Sequence, residues 1–272
     1  MKAYLDNAAT TGVSKEVFEA MTPYFMDSYG NPSSLHNKGI EVKKVVNLCH
    51  KTVAELLGCH YSEVHFTSCG TESINWAIKG IAYLNKTKSE IITTRIEHHA
   101  TLHTVEFLEK RGYTVHYLDV DEQGFINIDQ LRNLVSDNTL IVSIIMANNE
   151  IGTIQDIKEI SEICQAASTY LHVDAVQVAT HIPINLNELN VDLVSFSGHK
   201  FHAPKGIGLL YIKKGTHIEN LLHGGQQENN LRPGTENVPY IVGFTKALEE
   251  GMKTMFPSMI RQNEYIKYFL NE

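Results

Sequence analysis

Leu140-Ile141-Val142-Ser143-Ile144-Ile145-Met146-Ala147 is the most apolar run in the sequence, and Asn148-Asn149 follows it at once. A short run almost continuous in Ile, Leu and Val reads as a strand buried on both faces, and the polar pair marks its end. The same grammar recurs on either side. Strands are predicted over 63–67, 90–94, 114–118, 140–146, 170–173, 193–196 and 207–212. Amphipathic stretches separate them. Val42, Val45, Val46, Cys49, Val53, Leu56 and Leu57 recur at spacings of three and four, one face of a helix, and Gly58 then stops it. Further helices are predicted over 71–84, 99–110 and 157–167. Strand–helix alternation of this kind specifies the α/β class: a mainly parallel sheet wrapped by helices on both faces.

Open sheets of this class bind ligands beyond the carboxyl ends of their strands. The residues there are polar clusters. Thr67-Ser68-Cys69-Gly70-Thr71-Glu72-Ser73 ends a strand, turns at Gly70 and starts a helix whose free N–H groups and Thr71 hydroxyl suit a phosphate; taken alone, the residues favour the plain alternative, a helix cap with a capping acid. Ser197-Gly198-His199-Lys200 sets a lysine just past an apolar strand. A lysine that attacks a carbonyl needs a neutral amine, hence desolvation or neighbouring cations; a solvated surface lysine is the plain alternative. Asp174 closes the strand of His172-Val173-Asp174-Ala175-Val176-Gln177, where a carboxylate must be paired or hydrogen-bonded; a protonated pyridine nitrogen or a helix N-terminus would serve. In Arg95-Ile96-Glu97-His98-His99-Ala100, His98 suits stacking on a flat ring, proton transfer or helix capping. Asn148-Asn149-Glu150-Ile151-Gly152 offers amides to a phenolate-like oxygen, or simple turn chemistry.

Composition bounds the reading. The 272 residues suit one large domain or two ordinary ones, and 43% hydrophobic with 20% charged residues excludes wholesale disorder. A net charge of −8 without a long basic run argues against nucleic-acid binding. No apolar stretch is long enough for a membrane helix, and residues 1–7 turn polar too early for a signal peptide. Cys49, Cys59, Cys69 and Cys164 form no C-x-x-C pair and no disulfide framework, so a reducing cytoplasmic setting fits best. No H-E-x-x-H occurs among the fourteen histidines, and no metal site is expected. No G-x-G-x-x-G follows the first strand, against a dinucleotide-binding competitor.

In this order the motifs resemble the class V aminotransferase family of pyridoxal-phosphate enzymes, and most of all the cysteine desulfurases. They are Tyr4-Leu5-Asp6-Asn7-Ala8-Ala9-Thr10-Thr11, Gly30-Asn31-Pro32-Ser33-Ser34, Phe66 to Glu72, Glu97-His98, Asn148 to Gly152, His172 to Gln177, Ser195 to Lys200, Pro204-Lys205-Gly206-x-Gly208 and Arg232-Pro233-Gly234-Thr235. The resemblance implies fold type I, with a seven-stranded large domain over 15–254, an N-terminal arm of the small domain over 1–14, and the start of an incomplete small domain over 255–272. It implies pyridoxal 5'-phosphate as cofactor. Lys200 would carry it and move the substrate α-proton. Asp174 would pair with the ring nitrogen, and His98 would stack on the ring and assist proton transfer. Gln177 and Asn149 would bond the ring hydroxyl side. Gly70, Thr71, Ser197 and His199 would hold the phosphate, and Thr235 would reach the phosphate of a second subunit in a homodimer. L-cysteine as substrate, L-alanine as product and a sulfur-acceptor protein, for iron–sulfur cluster or thio-cofactor synthesis, complete the expectation.

One family element is missing. Desulfurases carry a nucleophilic cysteine, and an arginine that clamps the substrate carboxylate, well after the Arg-x-Gly-Thr motif. The 37 residues after Thr235 hold no cysteine, and Arg261 in a helical run matches no clamp. Cys49 reads as core, Cys59 as past a helix stop, Cys164 as remote from the strand ends, and Cys69 as part of the phosphate turn on the wrong side of the ring. The chain is therefore expected to be truncated inside the first small-domain helix and deficient in desulfuration by itself. Met255, Phe256, Met259, Ile260, Ile266, Phe269 and Leu270 are expected to form an exposed apolar stripe that drives association. Two alternatives remain: another class V enzyme, such as a selenocysteine lyase or an aminotransferase, and a non-catalytic pyridoxal-phosphate-binding dimer partner.

Overall fold

The structure, a computed structural model, describes residues 3–85 and 87–270, except the side chains of 255–257, 260 and 262–270. Its strands are β1 (Val64–Thr67), β2 (Glu90–Thr94), β3 (Thr114–Leu118), β4 (Thr139–Ile145), β5 (Tyr170–Asp174), β6 (Leu193–Ser197) and β7 (Gly208–Ile212). The helices are α1 (Lys15–Met21), α2 (Pro23–Met26), α3 (Asn37–Leu57), α4 (Gly70–Leu84), α5 (His99–Glu109), α6 (Ile128–Leu134), α7 (Ile157–Ala166), α8 (Leu186–Leu189) and α9 (Val238–Leu270). The strands form one sheet in the order β1-β7-β6-β5-β4-β2-β3. All neighbours are parallel except at β7, which runs antiparallel to both β1 and β6. The reason is the short link 198–207, a single helical turn and a loop with no crossover helix to return the chain.

Strand periodicity divides the core in two. Ile92, Val142, Ile144, Leu171, Val173, Val194 and Leu209 face one core with residues of α1, α3, α6, α7 and α9. Ile91, Ile141, Leu193 and Leu210 face the other with α4 and α5. Successive residues thus bury on opposite faces, which is why these strands read as unbroken apolar runs. Gly58 ends α3 as expected: at φ 64° its N–H bonds the Ala54 and Glu55 carbonyls, in a left-handed conformation that suits glycine.

The face covered by α4 and α5 turns polar toward the strand ends. Ser143, His172 and Ser195 are fully buried there, with the Ser143 hydroxyl 2.8 Å from His172 Nδ1 and the Ser195 hydroxyl 2.9 Å from Nε2. Burial pushes this imidazole down to about 3, so it is neutral and ties three strands together. Two residues further along β5, on the same face, stands Asp174.

Helix α9 crosses the 254/255 boundary without a break. Of the apolar stripe expected in the tail, all side chains but that of Met259 lie outside the described residues. The earlier part of α9 is anchored by Phe244, whose ring lies 5.0 Å from that of Phe201 and 5.7 Å from that of Phe66, edge-on to both. Phe244→Ala is expected to cost about 3–5 kcal/mol in urea unfolding, and Phe244→Leu about 1 kcal/mol.

Candidate active site

The carboxyl ends of β4, β5 and β6 and the first residues of α4 and α5 enclose a cavity of about 290 Å³. Its walls include Gly70, Thr71, His98, Asn149, Asp174, Gln177, Ser197, His199 and Lys200, nine of the ten residues expected from sequence. Ala9, Cys69, Ile74, Ile145 and Val176 complete it. The tenth, Thr235, lies in a separate hollow of about 220 Å³ with Ser68, Gly206 and Arg232.

Asp174 is 2% exposed, and one carboxylate oxygen accepts the Val176 N–H at 3.0 Å. Burial raises its pKa to about 6, against the opposing pull of that N–H and of Lys200. Lys200 shifts the other way: burial lowers it, while Asp174, Asp6 and Glu150 hold the charge on. Its Nζ donates to the Ala8 carbonyl, and to that of Ala9 at 3.1 Å. The segment 8–11 thus lies along the cavity mouth, where Gln177 Nε2 also donates to Ala8 (3.0 Å) and the Thr11 N–H and hydroxyl donate to the His199 carbonyl (2.9 and 2.8 Å). Ala8 and Ala9 contribute through backbone carbonyls, which leave no side-chain signature in the sequence.

Of the roles open to His98, capping is the one seen. Its Nδ1 accepts the Ala100 N–H at 3.0 Å as the N-cap of α5, and its ring lines the cavity. Burial and the nearby Lys200 and His99 charges lower its pKa, so the imidazole is neutral with its hydrogen on Nε2. Asn149 directs an amide N–H to Glu150 at 2.6 Å.

The turn into α4 is built for a close approach. The Gly70 N–H points at the Ser197 hydroxyl (3.4 Å), and a Cβ on Gly70 would come within 2.9 Å of Val176 Cγ2 and 3.1 Å of Ser197 Cβ. Glu72 does cap, accepting the Ser68 N–H at 2.8 Å, and Arg232 grips the same carboxylate at 2.8 and 3.1 Å. Three cysteines are poor nucleophiles: burial pushes Cys59 and Cys164 up to about 12 and raises Cys49 as well.

Comparison with known proteins shows the family. The profile described as Aminotransferase class-V matches residues 3–271. The chain belongs to this family. Its fold is fold type I, and the class V enzymes use pyridoxal 5'-phosphate. The chain is 51% identical over 255 residues to the cysteine desulfurase IscS of Clostridium botulinum, covering 93% of this chain and 64% of that protein's length. A solved NifS-like protein superposes with a TM-score of 0.91 at 47% identity, covering 93% of this chain and 70% of its own. SspA, solved in complex with cysteine, gives 0.89 at 37% identity, covering 96% and 78%. Among the described residues, no helix is long and apolar enough to cross a membrane.

The Glu72–Arg232 pair yields a test with a definite sign. Burial raises the Glu72 pKa, but the Arg232 and Ser68 hydrogen bonds outweigh it and hold the group below its ordinary value. The pair's contribution is therefore full above the ordinary carboxylate range and is lost as pH falls through the depressed value. Arg232→Ala is expected to cost about 2–3 kcal/mol in urea unfolding at neutral pH. The gap from the parent chain should close on acidification below the ordinary Glu range.

Proposed function

We propose that this chain carries the pyridoxal-phosphate site of a cysteine desulfurase, an enzyme that converts L-cysteine to L-alanine and passes the sulfur to a protein thiol. The observation that carries the reading is the facing pair in one small cavity: the Lys200 amine, pushed toward neutrality, and the buried Asp174 carboxylate, to which no side-chain cation is hydrogen-bonded among the described residues. The residues suit the cofactor. Gly70 leaves room at the α4 N-terminus where any Cβ would crowd Val176 and Ser197, and helix N-termini favour phosphate. The desulfurase relatives and the cysteine-bound SspA favour cysteine among the family's substrates.

The cofactor, when bound, supplies an electron-withdrawing ring that stabilises negative charge at the substrate α-carbon. In this reading Asp174 holds the ring nitrogen's proton, which a buried carboxylate does well because the ion pair relieves its desolvation. Lys200 provides the amine that takes the cofactor and then holds the proton removed from the substrate; burial favours the neutral form this needs. Gly70, Thr71, Ser197 and His199 hold the phosphate. His98, neutral and capped through Nδ1, keeps its ring against the ligand, and Asn149 and Gln177 offer amides to the ring oxygen. Engaging Lys200 and Gln177 requires them to release the Ala8 carbonyl. Thr235 serves a second subunit, which makes the working unit a homodimer, and a sulfur-acceptor protein of iron–sulfur or thio-cofactor synthesis is its partner. Domain limits at 14/15 and 254/255 belong to the same proposal. Sulfur transfer needs a thiolate, and burial keeps Cys49, Cys59 and Cys164 from supplying it.

Adding pyridoxal 5'-phosphate to the purified protein is expected to produce a near-visible absorption band. Borohydride should then fix one adduct, which peptide mass spectrometry locates on Lys200. Lys200→Ala should abolish both. A band in the parent chain with the adduct elsewhere contradicts the assignment.

A further inference from the structure

The strongest feature left unexplained beside this cavity is a second buried carboxyl. Glu97 ends the turn between β2 and α5 and is 6% exposed. Its Oε1 accepts two hydrogen bonds, from the Thr94 hydroxyl at 2.9 Å and from the Ile145 N–H at 3.0 Å. Its Oε2 is buried with no hydrogen-bond partner. An ionised carboxylate would leave full charge density on that orphaned oxygen, whereas a neutral acid uses Oε1 as a doubly accepting carbonyl and carries its proton on Oε2.

The two hydrogen bonds to Oε1 pull toward the ionised form, but burial outweighs them and a neighbouring charge adds to it. Ile145, whose N–H Glu97 takes, is the β4 register partner of Asp174. The two carboxyls therefore bracket one residue, and in a buried setting they resist ionising together. Other charged or titratable groups near it are His98 and His99 at the head of α5, Arg95 on its own turn and Lys200 beyond Asp174. Arg95 turns aside to stack on Tyr117 at 4.4 Å, and β4 contributes only its backbone N–H. Asp174 is the one whose charge bears on the Glu97 proton. Burial first, and that charge second, push Glu97 up to about 8, against about 6 for Asp174.

Glu97 also fastens the turn that presents His98. The Ile96 N–H donates to the Thr94 hydroxyl (3.2 Å), that hydroxyl donates to Glu97, and Asn148 Nδ2 closes the turn onto the Ile96 carbonyl (2.9 Å).

We propose that Glu97 is a positioning residue which, as a neutral acid, locks the His98 turn onto β4 and leaves Asp174 as the charged member of the buried pair. The functional meaning of this rests on the cofactor site proposed above, but the protonation itself is a property of the cofactor-free chain.

Infrared difference spectroscopy of the cofactor-free protein tests it. The parent chain is expected to show a protonated-carboxyl band at neutral pH that titrates away near pH 8, and Glu97→Gln should lack it. Asp174→Asn should keep the band with a lower midpoint, because the opposing charge is gone. Between the ordinary Glu range and about pH 8 the native state keeps a proton that the unfolded chain has already released. Stability attributable to Glu97 therefore falls as pH rises through that window, and Glu97→Gln should remove that fall from thermal unfolding. Glu97→Gln should bind pyridoxal 5'-phosphate within about twofold of the parent and Glu97→Ala about tenfold more weakly, since only the amide keeps the doubly accepting oxygen. A parent chain without the band, a band unchanged in Glu97→Gln, or a band lost in Asp174→Asn overturns the proposal. Should Glu97→Gln fail to fold, the parent and Asp174→Asn spectra decide it. Failure of the cofactor to bind at all would count against the proposed function and leave the infrared result standing on its own.

Discussion

A carboxylate at the buried end of a central strand is the constraint around which this molecule is arranged. Asp174 sits where β5 leaves the sheet, 2% exposed, with the Val176 N–H as its hydrogen-bond donor. A bare charge in such a place is costly; Lys200 eases it through its charge alone, and among the described residues no arginine or lysine is hydrogen-bonded to it. The fold holds the position rigidly all the same. The Met146 N–H bonds the Asp174 carbonyl, the Ala175 N–H bonds that of Ser195, and His172 crosses from β4 to β6 through two serine hydroxyls. Such investment in an underpaired carboxylate makes sense if a cation arrives from outside the chain, and a protonated ring nitrogen is one.

The rest of the architecture follows from serving that position. Parallel strands bring their carboxyl ends to one edge, and the α4 and α5 N-termini meet them there. The antiparallel β7 lets the chain double back just after Lys200, so that lysine stays at the edge instead of entering a long crossover helix. Two carboxyls, two histidines and a lysine then share a small volume in which burial separates their charges. His98 and His199 are held neutral, Lys200 is weakened as a base for protons, and Glu97 keeps its proton while Asp174 gives its own up first.

Much of this was legible in the residues, for a physical reason. Strands buried on both faces cannot hide their composition, and all seven lie within a residue or so of the expected bounds; Leu140–Ala147, the most apolar, became β4 (Thr139–Ile145). The site residues were legible because polar groups immediately after such strands stand out against the apolar run. What escaped has equally definite causes. Helices α1, α6 and α8 are too short to display a period, and α9 begins among Asn, Pro and Tyr. The antiparallel turn of β7 depends on link length, not on its own residues. The Ala8 and Ala9 carbonyls and the Val176 and Ile145 N–H groups act through backbone, and the charge state of Glu97 emerges only from three-dimensional enclosure.

A crystal structure of the protein with pyridoxal 5'-phosphate would decide whether Asp174 receives that cation from outside the chain. The expected result is the ring nitrogen against Asp174, continuous density from Lys200 to the cofactor, and the phosphate at the α4 N-terminus between Gly70, Thr71, Ser197 and His199. A cofactor bound with its phosphate toward Asp174, or seated outside this cavity, would contradict it.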